Sequence, residues 1–165
     1  MSIHPVIETL NKLSDLHAQL LSMTEEKKDI IVRNDVEALA LLTSRESRLI
    51  KQINEVDEER LHAMQVFMKE KGIRSALQLN VTELSRIVFN PEERIELRDA
   101  QVRLSDLLHE LKRQNEMIKD LLQQSLDFVD YSLNLITSRP EDDSIYKRPD
   151  QAQTKSTRSL FDTRA

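Results

Sequence analysis

The chain has 165 residues, enough for one domain with or without a tail, and its single Gly, lack of Cys and 4% aromatic content exclude a sheet protein and a disulfide framework. A charged fraction of 32% beside 39% hydrophobic residues is instead typical of long helices or coiled coils. The net charge is −5, Lys and Arg occur at most in pairs, and the sequence has neither an apolar run of about 18 residues nor a signal-peptide pattern, so we expect a cytoplasmic protein that neither binds nucleic acid nor inserts into a membrane.

The first predicted element is a helix over about residues 5–32. Pro5 suits the first turn of a helix, because its φ is fixed and its missing N–H is not needed there. One apolar face then follows at spacings of three and four residues, formed by Ile7, Leu10, Leu13, Leu16, Leu20, Leu21, Ile30 and Ile31.

A second helix is predicted over 36–71. Asn34 resembles an N-cap, with Glu37 three residues on as in a capping box. The apolar positions of this helix alternate by four and three once Glu46 and Arg60 fill the gaps, which is the 3.5-residue period of coiled coils. Gly72, the only glycine, follows a basic last turn and predicts the end of the helix.

A short helix over 82–88 and a long one over 91–138 complete the predicted elements. Asn90 and Pro91, followed by two glutamates, form the strongest helix start in the chain. One stripe runs from Leu104 to Ile136 with the same alternation of four and three, and the helix is expected to end before Pro140.

These elements predict an all-α protein: an elongated antiparallel helical hairpin plus a third long helix, in a three-helix, coiled-coil-like bundle over 1–139. The third helix is the longest and is expected to extend about 18 Å past the second, at about 1.5 Å per residue. Residues 140–165 contain five basic and five acidic residues and few large apolar ones, so a flexible tail is expected there.

Two histidine-containing patterns resemble metal-binding motifs, but helix geometry predicts that their side chains face solvent. Glu59 and His62 match the Glu-x-x-His unit of di-iron bundles, and Asp106 with His109 is a looser copy. His62 lies about 120° from the apolar stripe of its helix, and Asp106 and His109 lie about 160° and 140° from theirs. We therefore expect no metal site, no cofactor and no catalytic residues, and we do not expect an enzyme.

The segment 121–136 has a wide apolar arc. Its large side chains cover about 180° to 220° of the helix surface, whereas one packing seam needs about 100°. Two interpretations stay open: the first two helices cover the whole arc, or part of it is a wall of a groove for a partner helix.

The order of these elements resembles the FlgN family, and among its members those of Bacillus-like bacteria. The resemblance covers essentially the whole chain. It rests on a first helix that ends at EEK…I..ND, a second helix with L..L…E..LI..I…D..R, the stretch NEMIKDLLxxSLxF, and a proline-containing tail that ends SLFDTRA.

The resemblance implies a cytoplasmic flagellar type III export chaperone. Such proteins bind the C-terminal amphipathic helices of the hook–filament junction proteins FlgK and FlgL, prevent their premature assembly and deliver them to the export gate protein FlhA. It places cargo binding in the C-terminal helical region, which here corresponds to about residues 115–136. Within that region the apolar arc gives the expected cargo contacts, which are Leu122, Leu126, Phe128, Val129, Leu133 and Ile136. The resemblance places gate docking at Tyr146, which is followed by Lys147 where other members often have Gly. A structural coiled-coil scaffold or homo-oligomeric adaptor is the alternative that the helical seams leave open.

Overall fold

The computed structural model describes residues 2–73 and 80–137, and these contain four α-helices and no strand. The helices are α1 (His4–Val32), α2 (Val36–Glu70), α3 (Val81–Ile87) and α4 (Pro91–Thr137). The predicted all-α class is confirmed, and each helix end lies within one residue of the predicted end. The expected division at 139, the tail 140–165 and Tyr146 lie outside the described residues.

The connection between α1 and α2 is a three-residue turn closed by two backbone hydrogen bonds. Asn34 has a left-handed φ of 57°, its N–H donates to the carbonyl of Ile31, and the N–H of Asp35 donates to that of Ile30. This is a Schellman arrangement, and Asn tolerates the positive φ better than most residues. The N-cap of α2 is therefore Asp35, whose carboxylate accepts from the Ala38 N–H at 3.0 Å, and the prediction of Asn34 as the N-cap was wrong.

Ion pairs between α1 and α2 show that the two helices are antiparallel. Lys12, in the first half of α1, pairs with Glu59 in the second half of α2. Near the end of α1, Glu26 and Lys27 pair with Arg45 and Glu46, in the first half of α2. Lys27 Nζ lies 2.5 Å from Glu46 Oε2, and their side chains are only 18% and 11% exposed. Glu46 is one of the two polar residues in the apolar seam of α2, so Lys27 supplies the partner that its burial requires.

Loss of this buried ion pair is expected to destabilise the hairpin. Lys27→Met should lower the free energy of unfolding by about 2 kcal/mol, because it leaves the Glu46 carboxylate in the seam without a partner. Urea unfolding measures the effect. The neighbouring pair Glu26–Arg45 is a matched control, since its side chains are at least half exposed and 3.7 Å apart. Arg45→Met should cost no more than about 0.5 kcal/mol; equal losses for the two variants would contradict the assignment.

Local capping motifs fix where α2 ends and where α3 and α4 begin. Gly72 has a φ of 70°, and the N–H groups of Gly72 and Ile73 close a second Schellman turn on Lys69 and Met68. Asn80 caps α3 in a capping box with Glu83. The Asn90 side chain accepts from the N–H of Glu92 at 2.9 Å at the start of α4. These local contacts account for the ends of the helices without any contribution from packing between them.

The main core joins the start of α1, the end of α2, α3 and the start of α4. It consists of the buried residues Ile3, Val6, Ile7, Leu10, Met64, Phe67, Met68, Leu84, Val88, Leu97 and Ala100. In terms of internal packing the described chain divides after Asp127, although α4 is one continuous helix across that point.

Candidate protein-binding surface

The last third of α4 carries a row of large apolar side chains that are exposed. The six predicted cargo-binding residues are 39% to 81% exposed: Leu122, Leu126, Phe128, Val129, Leu133 and Ile136. Tyr131 and Leu135 are 61% and 62% exposed and extend the same surface. None of these eight side chains is buried, so the interpretation in which the whole arc is core does not hold for them.

The exposed residues form two stripes along the helix. The first stripe is Leu122, Leu126, Val129, Leu133 and Ile136, which alternate by four and three residues. The second stripe consists of the half-buried Leu121 and the exposed Phe128, Tyr131 and Leu135, and it is centred roughly 135° away at 100° per residue. The predicted site residues belong to the first stripe, with the exception of Phe128. The predicted set does not include Tyr131 and Leu135, although their spacing from Phe128 places them beside it on the helix.

A line of serines separates the two stripes and leaves no unsatisfied hydroxyl there. Ser125 Oγ donates to the carbonyl of Leu121 at 2.9 Å, and Ser132 Oγ donates to that of Phe128 at 2.8 Å. The helical backbone satisfies its own N–H and C=O groups. Along this line the serine hydroxyls and the helical backbone therefore already have hydrogen-bond partners within α4, and these groups lose none when a partner binds.

The charges around the stripes are acidic. From Asp120 to Thr137 the charged side chains are Asp120, Asp127 and Asp130, and there is no Lys or Arg. Gln123 Nε2 donates to Asp127 at 2.9 Å on this polar side of the helix. Upstream, a hydrogen bond from Arg113, with a second from Gln114, lowers the pKa of Glu110 to about 2, so that carboxylate stays ionised well below neutral pH. Upstream on α4 the Glu110 carboxylate is paired with Arg113, whereas from Asp120 to Thr137 all charged side chains are acidic.

The first stripe continues the seam by which α4 packs upstream. Leu111 and Ile118 lie on the same line of the helix and are buried. Leu122 and Ser125 reach the α1–α2 turn, where they line a small cavity with Ile30, Ile31, Val36 and Leu39. Within the residues up to Asp127, the stripe therefore begins as a packing seam and is exposed at Leu122 and Leu126.

The histidines have the outward positions that the helix geometry predicts. Glu59, His62, Asp106 and His109 are all exposed, and His109 Nδ1 lies 2.7 Å from the carbonyl oxygen of Ser105 in its own helix. The described ranges contain no group of three His, Asp or Glu residues arranged to hold a metal ion. In those same ranges, no helix is long and apolar enough to cross a membrane.

Comparisons with known proteins agree with the resemblance seen in the sequence. The chain is similar to the uncharacterized protein YvyG of Bacillus subtilis (strain 168), with 25% identity over 166 residues that cover all of both chains. No solved structure matches it. The family model of the FlgN protein matches residues 1–154, nearly the full length. The FlgN family is one of flagellar export chaperones rather than enzymes, and the chain belongs to it.

Proposed function

We propose that this protein binds the C-terminal amphipathic helices of the hook–filament junction proteins FlgK and FlgL in the cytoplasm. It keeps them from assembling prematurely and delivers them to the export gate protein FlhA. The cargo contact is the exposed surface of α4, at Leu122, Leu126, Phe128, Val129, Leu133 and Ile136. The proposal makes specific the chaperone role that family membership supports in general terms.

The observation that carries the proposal is the exposure of apolar side chains at coiled-coil spacing. The apolar face of an amphipathic helix from a partner could pack against this surface, so that both faces are removed from water. The backbone hydrogen bonds of the two helices are already formed before they meet. The junction subunits have adhesive helical ends, and these ends must be kept covered until the subunits assemble. The exposed apolar surface of α4 can cover such ends.

The size of the surface suits a chaperone that must also release its cargo. Roughly 600 Å² of apolar contact at ~25 cal/mol per Å² gives about 15 kcal/mol before costs. Association and ordering of the cargo helix take much of that gain. Ser125 and Ser132 further limit the apolar contact. We expect affinities between nanomolar and micromolar.

Docking at the gate is assigned to the tail. Tyr146 stands beside Ile145 in an otherwise polar stretch, and an aromatic side chain of this kind can supply most of the energy of a small interface. Cargo and gate would then bind different segments of the chain, so that loading does not block delivery.

Co-purification tests the proposal. The tagged protein, co-expressed with untagged FlgK or FlgL, should retain each of them, and should not retain versions that lack their C-terminal helices. Failure to retain either full-length protein would contradict the proposal. A scaffold or homo-oligomeric adaptor would retain only further copies of itself.

A further inference from the structure

We propose that the C-terminal part of α4 binds two helices of one cargo chain at once, one on each apolar stripe. This inference rests on the proposed function, which requires only that some helix of the cargo binds there. The second stripe, with Leu121, Phe128, Tyr131 and Leu135, becomes a binding surface of its own.

The angle between opposite members of the stripes is the first argument. Leu126 and Leu135 are nine residues apart, which at 100° per residue places them about 180° apart around the helix. Both are large and apolar, and they are 59% and 62% exposed. One packed helix covers an arc of about 100°, so no single helix can cover both side chains.

Continuity with the packing upstream is the second argument. The first stripe extends the line on which Leu111 and Ile118 are already buried within the residues up to Asp127. A cargo helix on the first stripe would therefore continue an existing helix seam. That helix would leave Phe128, Tyr131 and Leu135 uncovered, and a second helix is needed to remove them from water.

The charges define the kind of helices that fit. Asp130 borders the first stripe and Asp127 borders the second, each about 40° beyond the outermost apolar residue of its stripe, Leu126 and Tyr131. No basic side chain of α4 lies nearby to neutralise either one, since none occurs from Asp120 to Thr137. Each cargo helix should therefore carry a basic residue at the edge of its apolar face, where it would lie opposite Asp130 or Asp127. The cargo element that suits this site is a pair of amphipathic helices with basic flanks.

Site-specific photocrosslinking tests the inference in the full-length complex with FlgK. The crosslinker p-benzoylphenylalanine replaces Leu126 in one variant and Leu135 in another. It replaces Leu41 in a control, because Leu41 is 64% exposed but lies on α2. Peptide mass spectrometry then identifies the attachment sites, and native mass spectrometry gives the stoichiometry.

We expect Leu126 and Leu135 variants to capture FlgK at two separate segments of its sequence within a one-to-one complex, and the Leu41 variant to capture none. Capture from Leu126 alone, capture of one and the same segment from both positions, a complex with two FlgK chains, or capture of a second copy of this protein from Leu135 would each overturn the two-helix inference. Those outcomes leave FlgK binding itself intact. Absence of any FlgK complex with the unmodified protein would instead refute the proposed function, and the inference with it.

Discussion

Leu126→Asp combined with Leu133→Asp should weaken FlgK binding by at least about a hundredfold. Both positions lie on the first stripe, and each carboxylate would lose its hydration on binding without gaining a partner, at about 1–3 kcal/mol per group. The fold should survive, because the two leucines are 59% and 52% exposed in the free protein. Isothermal titration calorimetry measures the binding and far-UV circular dichroism measures the helicity.

A matched control separates the surface from a general effect of added charge. Leu41→Asp with Val102→Asp makes the same kind of change at side chains that are 64% and 50% exposed on α2 and on the earlier part of α4. This control should bind FlgK as the unmodified protein does. Unchanged affinity in the Leu126 and Leu133 variant would place the cargo site elsewhere, and collapse of its helicity would show that these leucines are core.

Tyr146→Ala should separate cargo binding from gate docking. FlgK capture should be unchanged, because the cargo surface lies upstream on α4. Recruitment of the FlgK-loaded protein to the cytoplasmic part of FlhA should weaken by about thirtyfold, which corresponds to the ~2 kcal/mol of a hot-spot residue. Two pull-downs on the same variant, one for each partner, measure the two effects.

The conservative variant Tyr146→Phe refines this test. It keeps the ring and removes only the hydroxyl group, so it should retain most of the recruitment if burial of the ring supplies the energy. Loss of FlgK capture in Tyr146→Ala would contradict the assignment of separate roles to helix and tail. So would unchanged FlhA capture by the loaded variant.

The helices were predictable from the sequence because their ends depend on local chemistry. The Asn90 cap, the following Pro91 and the single Gly72 each act within one turn of chain, and α4 begins and α2 ends where those residues predict. The same local rules misplaced one cap. Asn34 and Asp35 can both cap a helix; in the structure Asn34 takes the positive φ at the end of α1, and Asp35 is the residue left to cap α2.

Features that depend on packing between helices were harder to predict. The seam pattern of α2 contained Glu46 without indicating that Lys27 would neutralise it, because that contact requires the register of the hairpin. The wide apolar arc of residues 121–136 is evident in the sequence, but the pattern alone does not tell whether its side chains are buried in the core or exposed on the surface. The exposure of Leu126 and Leu135 settles that question for those side chains, while their role in binding stays a prediction.

Native mass spectrometry of the protein, alone and after addition of FlgK, tests the central claim most directly. The account predicts that a free monomer is converted into a complex of one copy of this protein with one FlgK chain. A stable self-assembled oligomer whose mass does not change when FlgK is added would contradict the account and favour a coiled-coil scaffold.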